Sequence, residues 1–296
     1  MATDTAAAGH AKPNHDYHLV NPSPWPVVGS VSAFVLAIGA IIFMRSRIAS
    51  PDDSSHWNYW VLLIGFAGVL YTMYAWWSDV VKEAQHGDHT PVVRMHHRYG
   101  MMLFIASEVM FFVAWFWAYF EGFFAHADPE QYARVAFNGG TQWPPAGVEL
   151  FNPFHLPLFN TLLLLTSGTT VTWAHHALIH GDKRGLRWGL ALTVLLGLSF
   201  TCVQILEYSR AGFSYSGMLY GATFFMATGF HGFHVVIGTI FLLVCLFRAN
   251  ANQFTPRHHL GFEFAAWYWH FVDVVWLFLF ASIYVWGSWG VALPKG

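Results

Sequence analysis

Charged residues are scarce in this chain. Asp, Glu, Lys and Arg together make up 10% of its 296 residues, whereas soluble domains use roughly 25%. Hydrophobic residues make up 55% and aromatic residues 19%, so a chain of this composition needs lipid as its solvent. The formal net charge of -2 and the scattered basic residues exclude the extended basic surface of a nucleic-acid-binding protein.

Cysteine is rare as well, and two common sequence signals are missing. Cys202 and Cys245 both lie in apolar stretches, which favours an apolar packing role over a disulfide or a metal site. No glycine-rich loop is followed by Lys and Ser or Thr, so nucleotide hydrolysis has no support. The first 24 residues are polar and lack the apolar core of a secretory signal, so we expect this tail to remain in the mature protein.

Long apolar segments fill most of the remaining chain. A membrane-spanning helix needs about 20 apolar residues, because each residue rises about 1.5 Å through a hydrocarbon core of about 30 Å. Seven segments meet this requirement: 27–44, 59–77, 99–120, 156–179, 186–205, 218–247 and 262–286. The sequence therefore predicts an all-α integral membrane protein with seven transmembrane helices.

The predicted organisation is a cytoplasmic N-terminal tail, 1–24, followed by one seven-helix membrane domain, 25–296. Within this domain, 25–77 carry helices one and two, 78–98 form a cytoplasmic loop, and 99–296 carry helices three to seven. Cytoplasmic loops retain Lys and Arg, and the tail and the even-numbered loops hold nine of the 14 such residues. We therefore expect a cytoplasmic N-terminus and an external C-terminus.

Glu108 is a carboxylate well inside the predicted third helix. An ionised acid is costly there, so it should be protonated or face a polar partner within the bundle. The candidate partners are His231 and His234 on helix six, and His270 and Asp273 on helix seven, and each pair is spaced to share a helix face. One interpretation is a hydrogen-bond network that locks the bundle. The other is a proton-handling role, and both remain open.

Histidine is abundant, with 18 residues. Most of them lie near the predicted cytoplasmic face, including His10, His15 and His18 in the N-terminal tail. Clustered imidazoles titrate near neutral pH and could collect protons for an uptake path. The alternative is a polar surface without a specific role. Only three histidines lie within the predicted membrane core, so we expect no haem or copper site in this chain.

Basic and aromatic residues mark the predicted cytoplasmic helix ends. Trp76, Trp77, Lys82, Arg98 and Arg248 could hold anionic lipid headgroups between helices. Ordinary anchoring of the helices at the membrane interface is the alternative.

Five long stretches resemble subunit III of cytochrome c oxidase, in the haem-copper oxidase subunit 3 family. The stretches are HLVNPSPWP, HTPVVRMHHRYGMMLFIASEVMFF, TWAHHALIHGD, YGATFFMATGFHGFHVVIGT and HHLGFEFAAWYWHFVDVVWLFLF, which begin at His18, His89, Thr172, Tyr220 and His258. They are distributed over nearly the whole chain, from Tyr17 to Trp289. Matches of this length are far more specific than a short motif. The sequence style resembles bacterial members of aa3-type oxidases.

The resemblance implies a fold and several site residues. Helices one and two would be separated by a lipid-filled cleft from the bundle of helices three to seven. Glu108 matches a buried glutamate that reacts with hydrophobic carbodiimide. The residues that match positions beside this acid are His231, His234 and Asp273, and those that match lipid-facing positions are Trp76, Trp77, Lys82, Glu83 and Arg248.

The resemblance also implies a function. Such a subunit carries no metal itself, and haem a, haem a3 and copper belong to partner subunits I and II. Cytochrome c contacts the complex mainly through another subunit. The third subunit stabilises subunit I, binds phospholipid, supports proton uptake and protects against inactivation during turnover, here in a bacterial inner membrane. Two alternatives remain open: the third subunit of a related quinol oxidase, and an independent proton or solute transporter, although paired broken helices are not evident.

Overall fold

The computed structural model describes residues 22–51, 57–125, 143–145 and 148–289. These residues contain seven helices and no strand. The helices are α1 (Trp25–Ala49), α2 (Trp60–His86), α3 (Pro91–Phe124), α4 (Leu156–Ile179), α5 (Lys183–Ser209), α6 (Leu219–Asn250) and α7 (Leu260–Leu279), and α7 continues into a π-helical segment, Phe280–Trp286. The predicted all-α membrane fold with seven helices is thus confirmed.

Six of the described helices are both long and apolar enough to cross a membrane, and α4 falls outside this group. At 24 residues, α4 is about 36 Å long and reaches across a hydrocarbon core. Its lower hydrophobicity comes from its many Ser and Thr residues, whose hydroxyls donate to carbonyls of the same helix. Thr161 donates to Pro157, for example, and Thr172 to Gly168. Such internal bonds reduce the cost of these hydroxyls in lipid.

Most of the segment predicted as a cytoplasmic loop is helical. α2 continues to His86, and α3 already begins at Pro91. Gly87 ends α2 with a φ of 88°, a left-handed conformation in which glycine has no steric penalty. Both helices therefore extend into the segment 78–98, because hydropathy detects the apolar part of a helix and not its polar extensions. That this segment faces the cytoplasm stays a prediction.

The structure divides into two compact units, Met1–His97 and Arg98–Gly296. In the first unit α1 and α2 are antiparallel and pack so closely that their backbones are in contact. A Cβ atom on Gly39 would collide with the backbone of Leu62, and one on Gly65 would collide with the backbone of Leu36. Small residues of this kind let membrane helices approach closely.

In the second unit α4, α5, α6 and α7 each pack against the next helix, and α7 returns to pack against α4. Trp269 and Trp276 of α7 are fully buried in this core. The Trp269 indole fits beside two glycines: a Cβ on Gly238 would lie 2.8 Å from its ring, and so would one on Gly197. The part of α3 in this unit packs through aromatic rings, such as Phe112 against Phe271.

Candidate functional site

Glu108 and His234 form a side-chain contact that joins α3 to α6. Glu108 Oε2 lies 2.7 Å from His234 Nε2. The Glu108 side chain is 24% exposed, whereas the His234 side chain is 7% exposed. The interhelical partner expected for the intramembrane acid is therefore His234.

The second ring nitrogen of His234 determines how many protons this pair holds. His234 Nδ1 lies 2.6 Å from the carbonyl oxygen of Phe230, and a carbonyl can only accept, so Nδ1 must carry a proton. The short contact to Glu108 then needs a second proton between Nε2 and Oε2. Either that proton is on the imidazole, giving a cation and a carboxylate, or it is on the carboxyl beside a neutral ring. Both arrangements have zero net charge, which suits a lipid environment.

His231 has a different partner from His234. It is 1% exposed, and its Nε2 lies 3.1 Å from the carbonyl oxygen of Val272 on α7. This carbonyl requires a proton on Nε2, which a neutral imidazole supplies. His231 Nδ1 is buried and has no hydrogen-bond partner among the described residues. His231 thus joins α6 to α7 through a hydrogen bond that a neutral ring can make.

Asp273 lies in a third polar site, between α4 and α7. Its Oδ2 is 3.5 Å from His270 Nδ1, and His270 Nε2 is 3.1 Å from Thr172 Oγ1. Gly168 provides the space, because a Cβ there would collide with Asp273 Oδ2. The candidate partners that the sequence offered for Glu108 do not all meet in one network. The structure instead distributes these residues over three separate sets of contacts.

Sequence reasoning missed a fourth polar site, around Glu207 on α5. Glu207 is 0% exposed. Tyr284 Oη donates to its Oε1 at 2.6 Å, and Gln204 Nε2 donates to the same oxygen at 3.3 Å. Asn160 Nδ2 of α4 in turn donates to Gln204 Oε1 at 3.1 Å. This network joins α4, α5 and the π-helical segment.

Glu207 was missed because it lies just beyond the apolar segment 186–205. Ending the segment there treated Glu207 as a residue of the membrane surface. The available signal was Gln204, which is three residues earlier and therefore on the same helix face. Two polar residues on one face next to an apolar helix indicate a buried interhelical network.

The predicted lipid-binding residues of the first unit lie along the last turns of α2. Trp76 and Trp77 are exposed, and Glu83 is partly buried. Lys82 Nζ is 2.9 Å from Asp79 Oδ1 and its side chain is largely exposed. Its ammonium group can therefore still reach an anionic headgroup.

The other two predicted lipid-binding residues, in the second unit, already have protein partners. Arg98 donates from Nε and Nη2 to the two carboxylate oxygens of Glu263, at 2.9 Å and 2.8 Å. Arg248 donates from Nε to Gln253 and lies over the ring of Phe254. The bidentate pair satisfies much of the Arg98 guanidinium, so Arg248 is the better candidate of the two for a phosphate group.

The remaining predicted sites concern protons and metals. His10, His15 and His18 lie outside the described residues. Within the described ranges, no group of three or more His, Cys, Asp and Glu side chains could hold a metal ion.

Comparisons with known proteins give matches over nearly the whole chain. The family model described as cytochrome c oxidase subunit III matches residues 15–288. Proteins named cytochrome c oxidase subunit 3 from Triticum aestivum and Arabidopsis thaliana are each 50% identical over 275 residues, covering 93% of this chain and 97% of each relative. The protein of that name from Oryctolagus cuniculus is also 50% identical over 275 residues, covering 93% of this chain and 98% of the relative. This multi-pass membrane protein therefore belongs to the cytochrome c oxidase subunit III family.

Proposed function

We propose that the chain is the metal-free third subunit of an aa3-type respiratory oxidase that transfers electrons from cytochrome c to oxygen and pumps protons. It binds subunits I and II, which hold haem a, haem a3 and copper, and cytochrome c docks mainly on another subunit. The observation that carries this proposal is the family match over residues 15–288.

Within the complex, the chain stabilises subunit I, protects the enzyme during turnover and supports proton uptake. The Glu108–His234 contact at 2.7 Å supports the last role, because this pair already holds a shared proton at zero net charge. A bond between α3 and α6 also locks the bundle, so the structural and the proton-handling roles are compatible. The candidates for the proton antenna are His10, His15 and His18.

The chain also binds phospholipid through the exposed aromatic and basic ends of its helices. Trp76, Trp77, Lys82 and Glu83 lie on the last turns of α2, where an indole and an ammonium can flank a phosphate. In the second unit, Arg248 and Arg98 provide the positive charge. Arg248 is the main contributor, because the Glu263 carboxylate already pairs with Arg98. This proposal is supported by the exposure of the Lys82 ammonium and of both indoles.

The chain lies in a bacterial inner membrane with a cytoplasmic N-terminus and an external C-terminus. The distribution of Lys and Arg over the loops supports this orientation.

Purification through a tag on this chain in a mild detergent tests the proposed function. We expect an optical spectrum with haem a absorption and a stoichiometric amount of copper, both of which separate from this polypeptide on harsher dissociation. A pure, colourless and stable single chain would contradict the proposal and favour an independent transporter. Haem without a binuclear copper subunit would instead favour a quinol oxidase.

A further inference from the structure

Glu207 is a buried acid without a basic partner in the part of the chain that the structure describes. Two other acids within the bundle each face an imidazole. Glu108 lies 2.7 Å from a ring nitrogen of His234, and Asp273 lies 3.5 Å from one of His270. Because a buried charge is costly unless it is paired, Glu207 needs another way to avoid ionisation.

The hydrogen bonds of Glu207 distinguish its two oxygens. Tyr284 Oη and Gln204 Nε2 both donate to Oε1, at 2.6 Å and 3.3 Å, whereas Oε2 is buried and has no partner among the described residues. An ionised carboxylate spreads its charge over both oxygens, so the charge on Oε2 would be left uncompensated away from water. A carboxylic acid instead has one oxygen that accepts and one that donates. The contacts therefore fit a neutral acid whose carbonyl oxygen is Oε1 and whose hydroxyl is Oε2.

Asn160 adds a second indication of a proton in this network. Its Nδ2 donates to Gln204 Oε1 at 3.1 Å, while its Oδ1 is buried and has no partner in the described ranges. With an ionised Glu207 the network would contain two unpaired acceptors, which is unfavourable in a buried site. A proton on Glu207 Oε2 turns one of these two atoms into a donor.

The side chains around Glu207 are uncharged. The titratable groups beside it are the phenols of Tyr284 and Tyr208, which are neutral at physiological pH. From α4 the network receives the Asn160 amide, and from α6 it receives the Thr228 hydroxyl, which accepts from Tyr208 Oη at 2.7 Å. The described surroundings thus provide no positive charge that would hold Glu207 in its ionised form.

A pocket of about 530 Å³ lies next to this network, where α4 begins and α5 ends. Arg210 lines the pocket and is three residues beyond Glu207, about 4.5 Å along the helix axis. Glu149 and His155 line it as well, and both are exposed. Carboxylate and imidazole groups at an open pocket can pass protons to and from water. The pocket therefore brings exchangeable protons within about one helical turn of the buried acid.

We propose that Glu207 is a proton-binding site, a carboxylic acid that is protonated at neutral pH and exchanges its proton with the aqueous phase through this pocket, on the side predicted to be external. Unlike the Glu108–His234 pair, it holds the proton without a base. The inference goes beyond the proposed function and does not depend on it, because every group involved belongs to this chain.

Infrared spectra of the complex purified through a tag on this chain test the protonation state. At neutral pH the difference between wild type and Glu207→Gln should contain the carbonyl stretching band of a protonated carboxylic acid, which shifts in deuterated water. Tyr284→Phe should keep this band and move it to higher frequency, because the carbonyl loses a hydrogen bond. The control Asp273→Asn should leave it in place. Carboxylate bands in the Glu207→Gln difference, or an unshifted band in Tyr284→Phe, would overturn the proposal.

Blocking the pocket tests the route of exchange. A bulky, membrane-impermeant thiol reagent attached to His155→Cys should slow the deuterium shift of the Glu207 band several-fold. The matched control is Phe154→Cys, which is the preceding residue, is 68% exposed and is not among the residues that line the pocket. Both variants retain the same native cysteines, so any reaction at those is common to the two. Equal exchange rates in the two labelled proteins would overturn the route through the pocket.

Discussion

Replacing Tyr284 by Phe should destabilise the chain by leaving the buried Glu207 carboxyl with too few hydrogen bonds. The Tyr284 hydroxyl is 2.6 Å from Glu207 Oε1, and the other donor in the described structure, Gln204, is 3.3 Å away. Glu207 Oε2 has no partner among the described residues. The phenylalanine ring keeps the packing of Tyr284 against Phe224, so the change removes mainly the hydroxyl.

The expected loss in free energy of unfolding is about 1 to 2 kcal/mol. One interhelical hydrogen bond in a membrane contributes about 0.6 kcal/mol on average and about 1.7 at most. Loss of the Tyr284 hydroxyl also leaves the buried Glu207 Oε1 with one hydrogen bond fewer to offset its desolvation, so we expect a loss toward the upper end of this range. The control Glu207→Gln keeps an acceptor oxygen for Tyr284 and should cost less than about 1 kcal/mol.

Unfolding of the full-length chain by SDS in mixed micelles, followed by tryptophan fluorescence and circular dichroism, measures these differences. The double variant should cost less than the sum of the two single changes, since both alter one contact. Wild-type stability of Tyr284→Phe would refute the reasoning. A larger loss for Glu207→Gln than for Tyr284→Phe would show that the carboxylate charge is what matters.

Three further predictions concern packing, the intramembrane acid and the tail. Gly238→Ala should reduce the free energy of unfolding by about 1 to 3 kcal/mol in the same assay, because its Cβ would lie 2.8 Å from the fixed Trp269 ring. The control Gly232→Ala, on the same helix, places a Cβ with nothing within 4 Å and should cost nothing. Equal losses for the two variants would contradict the packing account. Glu108→Gln should abolish labelling by a hydrophobic carbodiimide, while oxygen reduction in the assembled oxidase stays largely intact. The control Asp273→Asn should keep the labelling. Near-complete loss of oxygen reduction in an assembled Glu108→Gln oxidase would refute this prediction. Replacing the three tail histidines should slow turnover most at high pH, where protons are scarce, and an unchanged pH profile would count against the antenna.

The helices could be predicted from the sequence because each needs only a run of about 20 apolar residues. Their ends could not. α3 begins at Pro91 rather than near Tyr99, since its first turns carry polar residues that hydropathy assigns to a loop. For the same reason the predicted apolar segment 186–205 ended before Glu207, although the helix continues to Ser209.

The partners of the intramembrane residues depend on helix rotation. His231 and His234 are three residues apart, about 60° around the helix axis. Their spacing does not show which of the two faces α3 and which faces α7. Packing of the aromatic side chains sets that rotation, and with it the pairing of Glu108 with His234 rather than His231. Glu108 itself could be predicted as a site, because a carboxylate deep inside an apolar helix needs a partner.

Selective removal of this chain from the purified oxidase tests the central claim most directly. The account predicts that the remaining complex keeps its haem a and copper and still reduces oxygen, but inactivates sooner during turnover and takes up protons more slowly, and that adding the chain back restores both properties. Loss of haem or copper together with this chain, or unchanged turnover stability and proton uptake after its removal, would contradict the account.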